Sequence, residues 1–349
     1  MLKNSWYAVE QATAVGQQPK STQVLGQDIV LWRSPQGELV AMADHCLHRG
    51  AKLSQGWIEQ GCLTCPYHGW RYTPEGICVH IPANDDHATI PKRAHLKTYP
   101  VQEKYGLIWL YWGDLPPDQG LPIPPLPEYA TPGWRAVYGE SLWPAHFSRV
   151  TEGNMDSSHA PFVHSSFFSL RNDAVVPSYD VDITPSSVSA LTVSKPPKRV
   201  GLLKFILKRD RPLTTAQLTA YLPGVNRIDV DFKFRGYRFI YFGAHTPITA
   251  TTTRTQWIGL RNFLPFSWAD GHSRKNIIQT YEEDCQVIAT MRPAIVPFHQ
   301  SSEVLVASDA LQVAYRKLLR QYADRGWWIS EGKDLETSSD SAEGVMGQC

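Results

Sequence analysis

Two cysteines and two histidines in this 349-residue chain stand as matched pairs: Cys46-x-His48 and, after sixteen intervening residues, Cys65-x-x-His68. Two thiolates and two imidazoles delivered in this way are the ligand set of a Rieske-type [2Fe–2S] cluster. In such a cluster the cysteines hold one iron and the histidines the other, and the imidazoles raise the reduction potential. Gly50 and Gly69 follow the two pairs closely, which suits tight loops whose backbone N–H groups approach a sulfide cluster. A rival reading gathers Cys46, Cys62, Cys65 and His68 about one zinc ion, since Cys62-x-x-Cys65 is also a common zinc spacing. A zinc ribbon usually offers two such knuckles, and here there is one.

A second constellation lies in Glu152-Gly-Asn-Met-Asp156-Ser-Ser-His159-Ala-Pro-Phe-Val-His164. On a helix Glu152, Asp156 and His159 would share one face, Pro161 would interrupt it, and His164 could turn back beside His159. Two imidazoles and one carboxylate form the facial triad of non-haem Fe(II) oxygenases, which leaves open positions for O2. The third ligand is expected at Asp284. Ile277, Tyr281, Asp284 and Ile288 fall on one stripe of a helix, so Asp284 is a carboxylate on an apolar face, costly unless paired or metal-bound. Glu282 and Glu283 fall off that stripe and read as solvated, with Glu283 the runner-up ligand. Asp156 is placed to accept the second N–H of His159 and fix its tautomer.

These residues require positioning elements. Residues 1–114 read as β-rich, with strand runs at Val24–Trp32, Leu39–Met42 and Tyr105–Trp112. Residues 115–132 hold seven prolines and read as a stiff extended connector. Residues 133–330 alternate strand and helix signals. Strands are expected at Gln217–Tyr221, Ile228–Phe234, Tyr237–Phe242 and Thr252–Leu260. Helices are expected near Ile277–Ile288 and over Ser308–Tyr322, the latter stopped by Gly326. Residues 331–349 are polar and read as a disordered tail.

Net charge is +1, which gives no field for nucleic acid. The six cysteines show no small-domain disulfide framework, the N-terminus has no secretory pattern, and no run approaches a membrane span. A soluble cytoplasmic protein is expected. The basic stretch Lys195–Arg211 could dock an acidic ferredoxin, touch a membrane surface or guide an anionic substrate, and a solvated excursion is the plainer account. Phe162, Phe167, Phe168 and Trp257 suggest an aromatic-lined cavity, though each could be core.

Together these motifs resemble the terminal oxygenase components of the Rieske non-haem iron oxygenases, over nearly the whole chain. The DSSHAPFVHSSFF segment is most similar to the branch holding pheophorbide a oxygenase and chlorophyllide a oxygenase. The length and the segments SWYAVE, CPYHGWRY and VAYRKLLRQYA also resemble the saxitoxin-pathway hydroxylases and other small demethylases. The resemblance implies an α+β chain: an N-terminal Rieske β-sandwich, then a helix-grip (START-like) catalytic domain with an antiparallel sheet. It implies a [2Fe–2S] cluster on Cys46, His48, Cys65 and His68, and Fe(II) on His159, His164 and Asp284. It also implies a head-to-tail homotrimer, in which Asp156 bridges His159 to His68 of the neighbour. No nucleotide fingerprint is present, so a ferredoxin or reductase would supply electrons. The implied reaction is hydroxylation, or demethylation where hydroxylation falls on an O- or N-methyl carbon. Glu152 departs from the family's usual Asn at that position. An inert electron carrier and a zinc-stabilised binding module are the rival classes.

Overall fold

The computed structural model describes residues 1–85, 87–164, 174–194, 213–297 and 303–329. Phe167, Phe168, the basic stretch 195–211 and the tail 331–349 fall outside the described residues.

The first region is built from ten strands. They are β1 (Ser5–Gln11), β2 (Lys20–Val24), β3 (Gln27–Arg33), β4 (Leu39–Ala43), β5 (Trp57–Glu59), β6 (Cys62–Thr64), β7 (Arg71–Tyr72), β8 (Cys78–His80), β9 (Val101–Lys104) and β10 (Leu107–Trp112). They form three antiparallel sheets, ordered β1-β10-β9, β2-β3-β4 and β5-β6-β7-β8. The expected single strand over 24–32 is instead a hairpin, because Leu25 and Gly26 both take positive φ, 54° and 77°. A two-residue loop with positive φ at both positions matches the twist of the strands it joins. Tyr105-Gly106 and Gln60-Gly61 turn in the same way, so β10 starts at Leu107 and Cys62 opens β6.

The second region contains one seven-stranded antiparallel sheet. Its members in chain order are β11 (Arg135–Trp143), β12 (Val181–Ile183), β13 (Ser187–Ser194), β14 (Thr214–Tyr221), β15 (Val225–Asp231), β16 (Arg238–Thr249) and β17 (Thr252–Arg261). The spatial order is β11-β17-β16-β15-β14-β13-β12. Two short helices, α1 (Phe147–Gly153) and α2 (Ala160–Val163), precede β12. Two longer ones follow β17: α3 (Asp270–Ile288) and α4 (Ala310–Tyr322).

Alternation along the strands gives this sheet two apolar faces. One face sets Val137 and Trp257 against Ile277 of α3. The other sets Ile240, Phe242, Ala244, Ile258 and Leu260 against Ala8, Leu107 and Trp109 of the first region. Ile123 and Leu126 of the proline-rich segment are buried in that second cluster, so the connector is a packed strap rather than a free spacer. The α4 stripe Leu311, Tyr315, Leu318 and Tyr322 is buried against β13 and β14, as its period predicts, and Gly326 ends the helical run at a φ of 76°.

A polar chain crosses four neighbouring strands near α3. Trp143 Nε1 donates to Thr255 Oγ1 (2.9 Å), Thr255 Oγ1 donates to His245 Nδ1 (2.7 Å), and His245 Nε2 donates to Asn226 Oδ1 (2.8 Å). These roles leave His245 neutral, and complete burial lowers its pKa to about 3. His146, which accepts from Ser148 N at the start of α1, is lowered to about 4 by burial and then by the N-terminal ammonium and Arg149. Both folded values lie below the unfolded ~6.5. Their stabilisation is therefore complete above about pH 6.5 and is lost as pH falls toward 4 and 3. We expect each group to cost about 2 kcal/mol between pH 6.5 and 5. Denaturant titrations of His245→Gln should show a correspondingly shallower pH dependence; an unchanged slope would contradict the assignment.

Candidate metal centres

The cluster residues sit on two loops with matching backbones. Gly50 N donates to Cys46 O (2.8 Å), and Gly69 N donates to Cys65 O (3.0 Å). Cys46 N donates to Ala51 O (2.9 Å), and Cys65 N donates to Trp70 O (2.8 Å). Each loop closes on a glycine with positive φ, 68° at Gly50 and 70° at Gly69. A Cβ on Gly69 would also come within 3.0 Å of Pro82 Cγ, so that position is closed both by φ and by space.

The two loops present the thiols inward and the imidazoles outward. Cys46 and Cys65 are buried and unpaired in a cluster with Trp32, Leu53, Leu63 and Tyr72. Tyr72 Oη lies 3.2 Å from Cys46 Sγ. His48 and His68 are exposed at the tip, with ring centroids 4.5 Å apart, and His48 stacks on Trp70 at 4.8 Å. This pair-and-pair arrangement suits a cluster of two irons. A zinc site needs four donors about one point. Among the described residues, the one group of three or more such donors with ligand atoms within 4.8 Å of one another is His159, His164 and Asp284. Cys62 stands apart as a strand residue paired with Glu59.

That group of three comes from two segments far apart in sequence. The helix expected to run from Glu152 through His159 does not form. α1 ends at Gly153, and Asp156 Oδ1 accepts from Ser158 N (2.7 Å) and Ser158 Oγ (2.6 Å), which holds a bend. His159 then caps α2, whose first turn carries Pro161. Proline at the start of a helix loses no hydrogen bond, so Pro161 begins a helix rather than breaking one. This four-residue helix separates His159 from His164 and turns their rings toward each other.

Nε2 of His159 lies 3.2 Å from Nε2 of His164 and 3.2 Å from Asp284 Oδ1, and His164 Nε2 lies 3.1 Å from the same oxygen. The three atoms form a nearly equilateral triangle. Vertices of one octahedral face are √2 bond lengths apart, so these separations suit a metal–ligand distance of about 2.2 Å. Asp284 is held there by the expected stripe: Ile277, Tyr281 and Ile288 of α3 are buried. Burial would raise the Asp284 pKa, but His159 and His164 hold it below the usual carboxylate range. Burial would lower that of His159, but the carboxylates of Asp156 and Asp284 push it to about 9. The site thus favours positive charge, as a cation site must.

Two residues take roles that the sequence did not reveal. Glu283, expected to be solvated and weighed as a substitute ligand, is neither. Its Oε2 lies 2.8 Å from Nδ1 of His164, whose side chain is 4% exposed. The length of a glutamate lets it reach around the ring while Asp284 meets the other nitrogen. Glu152 does not share a face with Asp156 or His159. It is buried and binds Arg316 of α4 through both oxygens, at 2.6 and 2.7 Å. Arg316 also reaches Glu303 at 2.7 Å, and Glu303 meets Arg149 at 2.6 Å. Burial would lower the Arg316 pKa, but Glu152 and Glu303 hold the guanidinium firmly charged. The cluster ties the end of α1, just before the site loop, to α4. Arg316→Met should destabilise the protein by about 3–5 kcal/mol, because it strands buried carboxylates. The double variant Glu152→Met/Arg316→Met should recover much of this in urea denaturation. Equal loss in both variants would show that packing, not charge, is at stake.

Among the aromatic residues, Trp257 is 1% exposed and packs on Val137 and Ile277, while Phe162 on α2 is 50% exposed. Tyr241 of β16 belongs partly to the same cluster, and the Asp284 charge, after burial, helps to raise its pKa.

Comparison with known proteins agrees with both centres. The Rieske [2Fe-2S] domain model matches residues 5–100, and the vanillate O-demethylase oxygenase C-terminal domain model matches residues 143–325. Aminopyrrolnitrin oxygenase PrnD of Pseudomonas fluorescens is 33% identical over 185 residues, 49% of each chain. A putative toluene-4-sulfonate monooxygenase iron-sulfur subunit, TsaM2 of Comamonas testosteroni, is 27% identical over 89% of this chain and 93% of its own. Methylxanthine N1-demethylase NdmA of Pseudomonas putida is 27% identical over 92% of this chain and 89% of its own. A solved structure of an NdmA variant with caffeine superposes with a TM-score of 0.77 at 25% identity, covering 93% of this chain and 91% of that one. No helix among the described residues is long and apolar enough to cross a membrane. The chain belongs to the Rieske oxygenases, oxidoreductases that join a [2Fe–2S] cluster domain to a catalytic domain for mononuclear iron.

Proposed function

We propose that this protein hydroxylates or oxidatively demethylates an apolar, cyclic small molecule, using O2 and electrons delivered by a separate ferredoxin or reductase. The observation that carries this reading is the triangle of His159, His164 and Asp284 in a chain that also bears the paired Cys46/His48 and Cys65/His68 loops. The named substrates of the relatives, toluene-4-sulfonate and methylxanthine, are cyclic, which supports the same class.

In this reading Cys46 and Cys65 hold one cluster iron, His48 and His68 the other, and His159, His164 and Asp284 hold the mononuclear iron. Bound there, the mononuclear iron supplies O2 activation and the cluster supplies electrons singly. The chain does the rest. His159, His164 and Asp284 would hold the metal through three donor atoms on one side of it. Asp156 faces Nδ1 of His159 at 3.6 Å; burial would raise its pKa, but His159 and Ser158 keep the carboxylate ionised. At that distance the carboxylate sets a negative charge behind the ring rather than a hydrogen bond that fixes its tautomer.

Three finer assignments belong to the same proposal. The functional division runs 1–114, 115–132 and 133–330. The working unit is a homotrimer in which Asp156 meets His68 of a neighbour. The exposed Leu47 and Tyr67, each next in sequence to a cluster histidine, support burial of His48 and His68 against another copy. A reducing, cytoplasmic setting is supported by five described cysteines that are all free.

The test is an anaerobic titration of the reduced, iron-loaded protein with cyclic candidates, including O- and N-methyl arenes. O2 is then admitted and products are read by mass. Hydroxylated product carrying oxygen from 18O2, or demethylated product formed together with formaldehyde that carries it, supports the reading. Cluster oxidation that proceeds equally with every candidate and yields no oxygenated product would leave an electron carrier instead.

A further inference from the structure

The outer nitrogens of the two site histidines face carboxylates that are not equivalent. His164 Nδ1 is 2.8 Å from Glu283 Oε2, a charge-assisted hydrogen bond. His159 Nδ1 is 3.6 Å from Asp156 Oδ2, too far for one. The remaining oxygens differ as well. Glu283 Oε1 accepts from Gln279 Nε2 at 3.1 Å, one turn earlier on α3. Asp156 Oδ1 is committed to Ser158.

The supports beneath them also differ. Glu283 rides on a 19-residue helix whose apolar stripe is buried. That helix is pinned at its first residue, where Asp270 meets Arg135 (2.7 Å) and Arg261 (2.6 Å). Asp156 sits on a bend between two short helices. The backbones at the two ends of α2 are tied alike, His159 O accepting from Phe162 N and Val163 N (both 2.9 Å) and His164 N donating to Ala160 O (3.0 Å). The difference lies at the rings, where that of His164 is hydrogen-bonded to Glu283.

We infer that Glu283 is the positioning residue of the iron site: it accepts the Nδ1–H of His164, presents Nε2 to the metal, and retains the iron without help from Asp156. The inference rests on the proposed reading of His159, His164 and Asp284 as ligands. Its physical content is a division of work between two carboxylates. A rigidly borne one that fixes tautomer and basicity governs how tightly the metal is held. A loosely engaged one stays available for contact with another group.

The test needs no substrate. Fe(II) is titrated anaerobically against a chromophoric chelator, with the protein's cluster already assembled, for wild type, Glu283→Gln, Glu283→Ala and Asp156→Asn. The visible spectrum of the cluster and the far-ultraviolet circular dichroism report the fold. Glu283→Ala should weaken Fe(II) binding about ten- to hundredfold. Glu283→Gln, which keeps an oxygen acceptor without its charge and removes any doubt about folding, should fall between that and wild type. Asp156→Asn should bind as wild type. Co(II) in place of Fe(II) gives a second signature: its ligand-field bands should shift in Glu283→Gln and stay in place in Asp156→Asn. Wild-type affinity in both Glu283 variants, or an equal loss in Asp156→Asn, would overturn the inference and leave the ligand reading standing. A wild-type protein that takes up no iron beyond its cluster would overturn both.

Discussion

Asp284→Ala is expected to empty the catalytic site while the cluster stays intact. The variant should keep the visible spectrum of a Rieske protein, lose its mononuclear iron on dialysis, and form product at least about a thousandfold more slowly, a loss of several kcal/mol of transition-state stabilisation. The reason is geometric. Asp284 Oδ1 lies within 3.2 Å of both Nε2 atoms. Without it, two imidazoles face each other with no anionic donor between their Nε2 atoms. Iron analysis and cluster absorbance on the same sample separate this outcome from unfolding. Full iron occupancy in Asp284→Ala would move the third ligand elsewhere, and Glu283, already bonded to His164 Nδ1, is poorly placed to be it.

Asp156→Asn is expected to do the opposite: both metal centres stay filled and their communication fails. Product formation should fall about a hundredfold, in the upper range for a residue that contacts a ligand without binding metal. In rapid mixing with O2 and substrate, cluster oxidation should slow by the same factor. The basis is the position of Asp156 behind His159, with one oxygen fixed by Ser158 and the other turned to the ring. Asparagine keeps the size and the bend but loses the charge. If the variant couples cluster oxidation to product at the wild-type rate, Asp156 is a structural residue of the bend. Read with the Fe(II) titration of the Glu283 variants, this result separates holding the metal from supplying it with electrons.

The differences between expectation and structure share one origin. Periodicity placed Ile277, Tyr281, Asp284 and Ile288 on one stripe, and the three apolar members are buried. The same logic assigned Glu283 to solvent, because its Cα faces away from that stripe. A helix wheel ignores side-chain length and ignores what packs along the helix edge. The α2 turn lies along that edge, and the glutamate bends to it. Glu152 was misplaced for a related reason. Its spacing from Asp156 suits a helix, yet Gly153 and the Asp156–Ser158 bend end that helix first. The carboxylate then points to Arg316, 164 residues away in sequence. A run of prolines signals stiffness and is silent on contacts, so the burial of Ile123 and Leu126 was equally out of reach.

The sequence by itself determined the donor types and their pairing. Cys46 with His48, Cys65 with His68 and His159 with His164 are each set by a loop or a single helical turn, where local backbone rules act within five residues. The buried stripe that carries Asp284 follows from helical period alone. Only the tertiary structure decided which carboxylate serves which nitrogen. His164 and Glu283 stand 119 residues apart, and they meet because α3 packs across β11 and β17 beside the short helix that follows Asp156. Contacts of that kind depend on how whole elements dock, and docking is fixed by buried area summed over the sheet and helices, which no short stretch of residues encodes.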